Sequence, residues 1–399
     1  MKALLLENIH PEATRILTAA GYDVETRSGA LGEDELTAAL KGVDLLGIRS
    51  RTNVTDAVLR RVSSGLTAIG AFCIGTNQID LDACSEHGIA AFNAPYSNTR
   101  SVVELAMAEI VAMARHLTDR TAQMHAGQWR KSATGSHEVR GRTLGIVGYG
   151  NIGSQLSVLA EAFGMRVYYY DLQDRLAMGN AKRCDSLEEL LAKAETVTLH
   201  VDGREANTGF FGADQFAAMR ARSLFLNLSR GFVYDDEALA ESLRSGHLAG
   251  AAVDVYPKEP RSSGEPFVSP LQGLPNVILT PHVGGSTQEA QYDIGRYVAN
   301  KLHEYIETGA TSMSVNLPEV TTPAPSGVRV THIHRNVPGV MAQLNSVLSK
   351  HDANIAFQAL NTKGSFGYAV TDVTAASDGW VDDLAHVPNT IACRVIRAS

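Results

Sequence analysis

Cysteine is scarce in this chain, with four among 399 residues, at positions 73, 84, 184 and 393. None stands in a metal or redox spacing, so no disulfide framework and no bound metal are expected, and reduced thiols in a cytoplasmic protein are. No apolar run approaches the ~20 residues of a membrane span, and the apolar part of Met1 to His10 is too short for a secretory signal. Basic charge is not in excess either. A formal net charge of −8 argues against an extended nucleic-acid surface, although it leaves room for a local basic pocket. Internal repeats and low-complexity tracts are missing. What is left is a globular composition, 44% hydrophobic and 20% charged, in a chain long enough for roughly two or three domains.

The most informative segment present is a glycine turn. Gly148-Tyr149-Gly150-Asn151-Ile152-Gly153 follows the apolar run Leu144 to Val147 and opens a helical stretch. The spacing is that of a dinucleotide-binding βαβ unit, in which the first glycine permits the turn and the second lets the backbone approach a pyrophosphate. The third lets the helix pack on the strand, and the unpaired N–H groups at the helix start favour an anion. Asp171, which ends the run Arg166 to Tyr170, is placed to bind the adenosine ribose and to repel a 2′-phosphate, so NAD is favoured over NADP. Among 35 glycines a chance match is easy, and a purely structural turn is the alternative. Strand, turn, helix, second strand and terminal acid in the right order argue for the cofactor.

Short apolar runs and amphipathic stretches alternate from the start of the chain: Ala3 to Leu6, a helix from Pro11, Val43 to Ile48, a helix from Asp56, Ala68 to Phe72 and Ala90 to Phe92. This pattern predicts a small α/β domain. Ser97-Asn98-Thr99 then caps a long helix, Val102 to Leu117, followed by a polar segment with Trp129. The cofactor domain carries predicted strands at 144–147, 166–170, 196–201, 224–228, 250–255 and 277–280, which suits a doubly wound sheet. A helix from Gln288 to Glu307 leads to Thr311–Pro318, which carries the chain back to the first domain. The expected division is therefore a substrate domain of 1–97 with 288–318, a cofactor domain of 98–287, a linker of 319–327 and a final domain of 328–399. That last domain reads βαββαβ, with strands at 328–334, 354–361, 366–374 and 391–396 and helices at 338–350 and near 379–386, which is ferredoxin-like.

Three residues follow the last three predicted strands of the cofactor sheet: Arg230, Glu259 and His282. Ligands of open α/β sheets bind outside those strand ends, so a cation, a carboxylate and an imidazole converge there. Oxidising an alcohol requires a base near neutral pH, and His282 has the right intrinsic pKa. A carboxylate such as Glu259 fixes the imidazole tautomer, while Arg230 can grip a substrate carboxylate and polarise the forming carbonyl. Taken singly, Arg230 and Glu259 could be a surface ion pair, and His282 after Pro281 a turn histidine. Asp254, closing its strand, is a candidate for the nicotinamide carboxamide, and Asn227-Leu228-Ser229 for backbone contacts to the cofactor. In the first domain Arg49-Ser50-Arg51-Thr52 follows a strand end and offers an arginine fork to a phosphate, with Cys73-Ile74-Gly75-Thr76-Asn77 as a second turn of N–H donors. A solvated basic patch is the alternative. Arg130 and Lys131, near Trp129, could add charge from elsewhere in an assembly.

With these segments, and with Asn93-Ala94-Pro95, Ser97-Asn98-Thr99-Arg100-Ser101, Ser229-Arg230-Gly231, Val253-Asp254-Val255 and Pro281-His282-Val283-Gly284-Gly285-Ser286-Thr287, the chain resembles the D-2-hydroxyacid dehydrogenase family nearly end to end. The members it is most similar to carry one C-terminal ACT domain. The resemblance implies two doubly wound parallel-sheet domains, a Rossmann-type cofactor domain inserted in a flavodoxin-like substrate domain, plus the ferredoxin-like ACT domain. It implies oxidation of D-3-phosphoglycerate to 3-phosphohydroxypyruvate with NAD, with Arg230, Glu259 and His282 catalytic. The dinucleotide would meet Gly148, Gly150, Asn151, Ile152, Gly153, Asp171, His200, Val201, Leu228, Ser229, Arg230, Asp254, His282, Gly284 and Gly285. The substrate, a small phosphorylated 2-hydroxy acid, would meet Arg49, Ser50, Arg51, Ile74, Gly75, Asn98, Lys131, Arg230 and His282. A homotetramer is implied, with Trp129 near a neighbouring subunit, and L-serine is the implied effector at His334, Asn336 and Asn354.

The sequence departs from the family pattern in places. Arg335 and Val337 replace an acid and an arginine, Ser326 replaces one of two paired hinge glycines, the last helix is shortened, and Asp202-Gly203 replaces a proline. Loss of the hinge glycine should stiffen the linker. Two rival functions fit parts of the pattern. A dehydrogenase for another 2-hydroxy acid, such as 2-hydroxyglutarate, would present a second anion to the same arginines. An NAD-sensing corepressor would keep the dinucleotide site and act by protein contacts.

Overall fold

The computed structural model describes residues 1–62, 65–260 and 264–397, so the last two residues of the expected final domain lie outside the described residues. They form two compact units, Met1–Ser97 with Gln291–Ser399, and Asn98–Ala290.

The first unit begins with strands β1 (Lys2–Leu5), β2 (Asp23–Thr26), β3 (Leu45–Ile48), β4 (Ala68–Ala71) and β5 (Ala90–Phe92). They pair in parallel in the order β2-β1-β3-β4-β5, a flavodoxin-like doubly wound sheet. β3, β4 and β5 are buried throughout, which is why they are unbroken apolar strings rather than alternating ones. The edge strand β2, and the helices Glu33–Ala39 and Leu81–Glu86, were not expected from the sequence. β2 escapes a hydrophobicity reading because both its ends are polar and exposed.

The second unit holds β6 (Thr143–Val147), β7 (Arg166–Tyr170), β8 (Lys182–Arg183), β9 (Thr196–Leu199), β10 (Ser223–Asn227), β11 (Leu248–Val253) and β12 (Val277–Leu279). All are parallel, in the order β12-β11-β10-β9-β6-β7-β8, so the order reverses between β6 and β9. Each of the six expected strands is present, and the two-residue β8 extends the edge. A helix, Leu117–His125, stands where only a polar segment was expected; it has no buried residue, hence no apolar stripe to betray it.

The chain then returns through the helix Gln288–Thr308 to a four-stranded antiparallel sheet, β13 (Val328–Arg335), β14 (Asn354–Lys363), β15 (Phe366–Ala375) and β16 (Thr390–Arg397), in the order β14-β15-β13-β16. Helices Val340–Lys350 and Trp380–Ala385 cover one face, where Val330, Leu344, Leu348, Trp380 and Leu384 form a core. The opposite face is not left to water. Ile333, Tyr368 and Val370 join the core of the flavodoxin-like sheet and its helix, with Phe92, Leu302, Tyr305 and Ile306.

Two arginines strengthen that junction. Arg329, fully buried, donates to both Asp372 oxygens at 2.6 and 2.7 Å, to the Thr308 carbonyl at 2.8 Å and to the Pro323 carbonyl at 3.0 Å. Arg394 donates to the carbonyls of Tyr305 at 2.6 Å and Ile306 at 2.9 Å. These carbonyls end a helix, where acceptors lack intrahelical partners and the dipole favours a cation. Segment 319–327 is held as well: the Asn361 amide donates to the Glu319 carbonyl, and the Ser326 N–H to Asp372. Gly327, at φ 81°, has no room for a side chain because a Cβ would strike the Val373 carbonyl. The stretch with linker composition is thus largely exposed but tied at its backbone, with Ser326 contributing one of the ties.

Replacing Arg329 by Met should cost about 3–5 kcal/mol, because Asp372 would keep a buried charge without a partner. Urea denaturation measures this, and a loss under about 1 kcal/mol would show that the ion pair does not anchor the sheet. Arg329→Met with Asp372→Leu should recover part of the loss.

Candidate active site

The glycine turn follows β6, and each of its glycines answers to a different neighbour. Gly148 has φ 90° and a Cβ there would lie 2.6 Å from the His200 carbonyl; at Gly153 it would strike the Gly148 carbonyl. At Gly150 it would meet nothing within 4 Å. Protein atoms therefore account for the first and third glycines, while the middle one faces open space, as a backbone that must admit a pyrophosphate requires. Gly150 caps the helix Asn151–Ala162 without a side-chain bond, leaving the first amide groups for an anion. Asp171 closes β7 and backs onto the turn, its oxygens accepting from the Tyr149 and Gln173 N–H groups at 2.8 Å. His200, after β9, is held neutral by burial, its pKa pushed down to about 4. Its Nε2 lies 2.9 Å from Thr198 Oγ1, and its buried Nδ1 has no protein partner. These residues fit a dinucleotide, with Val201 continuing from His200.

Past β10, Asn227 shapes the turn that presents Arg230. Its fully buried amide accepts from Ser229 N–H at 3.0 Å and Ser229 Oγ at 2.7 Å, and donates to the Arg230 carbonyl at 3.0 Å. Gly231 is obligatory because a Cβ would overlap the Tyr256 carbonyl. Leu228 and Ser229 are buried in this turn, and Arg230 is held by a 2.7 Å bond to the Ser229 carbonyl.

Asp254, after β11, is buried, and its carboxylate is turned into the loop that carries His282. It accepts from Thr280 Oγ1 at 2.6 Å, Val283 N–H at 2.8 Å and Gly284 N–H at 2.7 Å. Its observed work is to hold that loop. His282 sits there at φ 54°, a left-handed conformation that costs a non-glycine residue energy and needs such anchoring. Its Nδ1 lies 2.9 Å from Glu259 Oε2, while Glu259 Oε1 accepts from the Tyr256 N–H at 3.1 Å. The hydrogen bond to Glu259 raises the imidazole pKa above its ordinary value, against partial burial. Burial pushes the Glu259 carboxyl up, but His282, the Tyr256 N–H and the charge of Arg230 outweigh it, and its pKa falls. Nδ1–H bound to a carboxylate leaves Nε2 as the free base.

Gly285 packs against the Asn98 amide, and Asn98 Oδ1 is buried without a protein partner. Lys131 and the 80% exposed Trp129 follow the helix Leu117–His125. Sequence reasoning missed Glu109 on the helix Thr99–Ala114. Burial, then the charge of Asp254, pushes its carboxyl up to about 8, so it keeps its proton at neutral pH.

The arginine turn of the first unit has an organiser that the sequence also concealed. Glu7 is buried at φ 62°, and its carboxylate accepts the N–H groups of Arg49 at 3.2 Å, Arg51 at 3.0 Å and Thr52 at 2.9 Å. Gln78 braces the same turn by donating to the Arg49 carbonyl at 2.6 Å and the Gly75 carbonyl at 3.2 Å. Ile74 is fixed through its carbonyl by Asn93 at 2.6 Å. Ser50 is exposed between the two arginines.

The three expected effector residues are not brought together. His334 is buried, with Nδ1 3.2 Å from that of His332, and burial lowers its pKa. Asn336 donates to the Gly364 carbonyl at 3.1 Å, beside the end of β13 that pairs with Phe366. Asn354 pairs with Ala375, at the far end of the sheet, because β14 and β13 flank β15 and share one direction. Arg335, which departs from the family pattern, pairs with Glu86 at 2.6 Å and stacks over Phe366.

Residues 107–284 match the NAD-binding domain of the D-isomer specific 2-hydroxyacid dehydrogenases, and residues 330–392 match an AHAS small subunit-like ACT domain. The chain is 46% identical to the D-3-phosphoglycerate dehydrogenase of Escherichia coli (strain K12), over 99% of this chain and 97% of that one. It is 47% identical to the enzyme of that name from Haemophilus influenzae, over the same shares. The crystal structure of the TT0316 protein from Thermus thermophilus superposes with a TM-score of 0.71 at 31% identity, covering 79% of this chain and all of that one.

The Glu259 to His282 bond generates a prediction independent of turnover. In Glu259→Gln the His282 pKa, followed by NMR titration, should fall from above its ordinary value, since the carboxylate that raises it is gone. An unchanged titration would mean that the pair is not formed.

Proposed function

The chain belongs to the D-isomer specific 2-hydroxyacid dehydrogenase family, and we propose that it oxidises D-3-phosphoglycerate to 3-phosphohydroxypyruvate with NAD, the first step of a route to L-serine. The observation that carries this reading is the Glu259 to His282 hydrogen bond at 2.9 Å, on a loop locked by Asp254, in the unit that holds the dinucleotide turn. Bound NAD supplies the acceptor for the hydride that leaves the alcohol carbon. His282 takes the hydroxyl proton at Nε2, and Glu259 stabilises the imidazolium that results. Arg230 binds the substrate carboxylate and polarises the carbonyl as it forms. We assign the substrate phosphate to the Arg49–Thr52 turn, where Glu7 aligns the backbone behind Arg51.

Because the base must be neutral to accept a proton, alcohol oxidation should rise with pH through the His282 pKa, which Glu259 moves upward. The ACT match supports amino-acid control, and we place L-serine at His334, Asn336 and Asn354. Since one chain puts Asn354 at the opposite end of the sheet from the other two, that site requires a second copy, in keeping with a cytoplasmic homotetramer.

An NADH-formation assay across 3-phosphoglycerate, 2-hydroxyglutarate and other D-2-hydroxy acids, with and without L-serine, tests substrate and effector together. 3-Phosphoglycerate should give the highest kcat/KM, and serine should lower the rate. His282→Ala should lower kcat by about 10²–10⁴ while NADH binding stays nearly intact; full turnover in that variant would remove His282 from the mechanism. Arg51→Ala should act mainly on KM, with loss of about 1.5–3 kcal/mol of binding to the phosphate.

A further inference from the structure

The buried histidine pair of β13 belongs to a directed chain of hydrogen bonds, and the direction follows from one hydroxyl. Thr390 Oγ1 lies 2.6 Å from the Val387 carbonyl and 2.9 Å from His332 Nε2. A carbonyl only accepts, so the single hydroxyl proton of Thr390 points to Val387, and the hydroxyl oxygen accepts from His332 Nε2–H. Burial holds His332 neutral, with its pKa pushed down to about 4 and the charge of a protonated His334 adding to the effect. A neutral imidazole with its proton on Nε2 has a bare Nδ1.

That bare nitrogen lies 3.2 Å from Nδ1 of His334, and two lone pairs do not face each other at such a distance inside a protein. His334 therefore carries its proton on Nδ1 and donates it to His332. Burial lowers the His334 pKa as well, so this imidazole is also neutral at pH 7, and its Nε2 is an acceptor and nothing else. Among the described residues no group hydrogen-bonds that Nε2. It lies by Gly367, the β15 residue paired with His334, where a Cβ would strike it. Donation thus runs from His334 to His332, from His332 to Thr390 and from Thr390 to Val387, and leaves a lone pair at the free end.

We propose that His332 and Thr390 are positioning residues that fix the tautomer of His334, so that whatever binds this imidazole must present an N–H or O–H donor to Nε2. The consequence for L-serine rests on reading His334 as its contact. Only the ammonium and the hydroxyl of L-serine qualify, and the carboxylate, which has acceptors alone, is directed away from His334. A carboxylate brought to Nε2 would set lone pair against lone pair. Moving the His334 proton round to meet it would leave two bare nitrogens facing each other in the buried pair, at the cost of an unsatisfied polar group. The discrimination therefore comes from residues that never touch the ligand.

Solid-state nitrogen NMR of the full-length protein, isotope-labelled at histidine and assigned by comparison with His334→Gln, shows which ring nitrogen is protonated. His334 should carry its proton on Nδ1, and L-serine should shift the Nε2 signal while the proton stays where it is. A proton on Nε2 in the free protein, or its arrival there when L-serine binds, overturns the proposal. Calorimetric titration with L-serine supplies the second reading. His332→Leu, which removes the acceptor for His334 Nδ1–H, should weaken binding at least about fivefold, whereas His332→Asn, whose side-chain carbonyl accepts the same proton, should stay within about twofold of the wild type. If His332→Leu binds as tightly as the wild type, or if both variants lose affinity equally, His332 only fills space. A wild type that takes up no L-serine but holds the His334 proton on Nδ1 would count against the effector reading and leave the relay standing.

Discussion

The geometry of the active site depends on one buried carboxylate. Asp254 gathers Thr280, Val283 and Gly284 by three short hydrogen bonds, and between them His282 is held in a left-handed backbone conformation. That conformation turns the imidazole so that Nδ1 meets Glu259. Without the three bonds nothing in the local sequence would keep a histidine there, since left-handed backbone is costly outside glycine. The order of causes is therefore Asp254, then loop, then the imidazole and its hydrogen bond to Glu259. Glu109 adds a second buried carboxyl nearby, whose pKa burial and then the charge of Asp254 push up to about 8.

The same economy appears in the other turns. Asn227 and Glu7 are buried polar side chains that hydrogen-bond mainly to backbone, and each shapes a turn that displays an arginine. Buried polar groups must be satisfied, so turns built around them have one geometry and not several. An exposed side chain such as Arg51 is thereby placed by a buried neighbour.

The C-terminal sheet follows a different logic. Its helix-covered face makes a core of its own, while the open face shares one with the flavodoxin-like sheet. Arg329 and Arg394 cap the carbonyl end of the helix Gln288–Thr308, so the sheet and that helix are bound by charge as well as by apolar contact. Segment 319–327 runs between them, tied by its backbone to Asn361, Arg329 and Asp372. Arg335, a departure from the family pattern, is one more tie between the two through Glu86.

Much of this was legible in the sequence. The glycine spacing, the acid closing the second strand and the alternation of apolar runs located the cofactor sheet, because strand and turn chemistry are local. Arg230, Glu259 and His282 were legible as strand-end residues, and the βαββαβ order of the last domain was read from hydrophobic periodicity alone. What lay beyond it were the consequences of long-range pairing. Glu7 lies more than 40 positions from the turn it organises, and Arg329 lies 43 from Asp372. Nor could local pattern show that Asn354 lies opposite to His334 along the sheet, since that follows from strand order. The residue types that permit the chemistry are a property of the sequence by itself. Which carboxylate holds which loop, and which side chains tie the linker's backbone, was decided only when tertiary structure brought buried polar groups to their partners, because a desolvated charge or amide must find one.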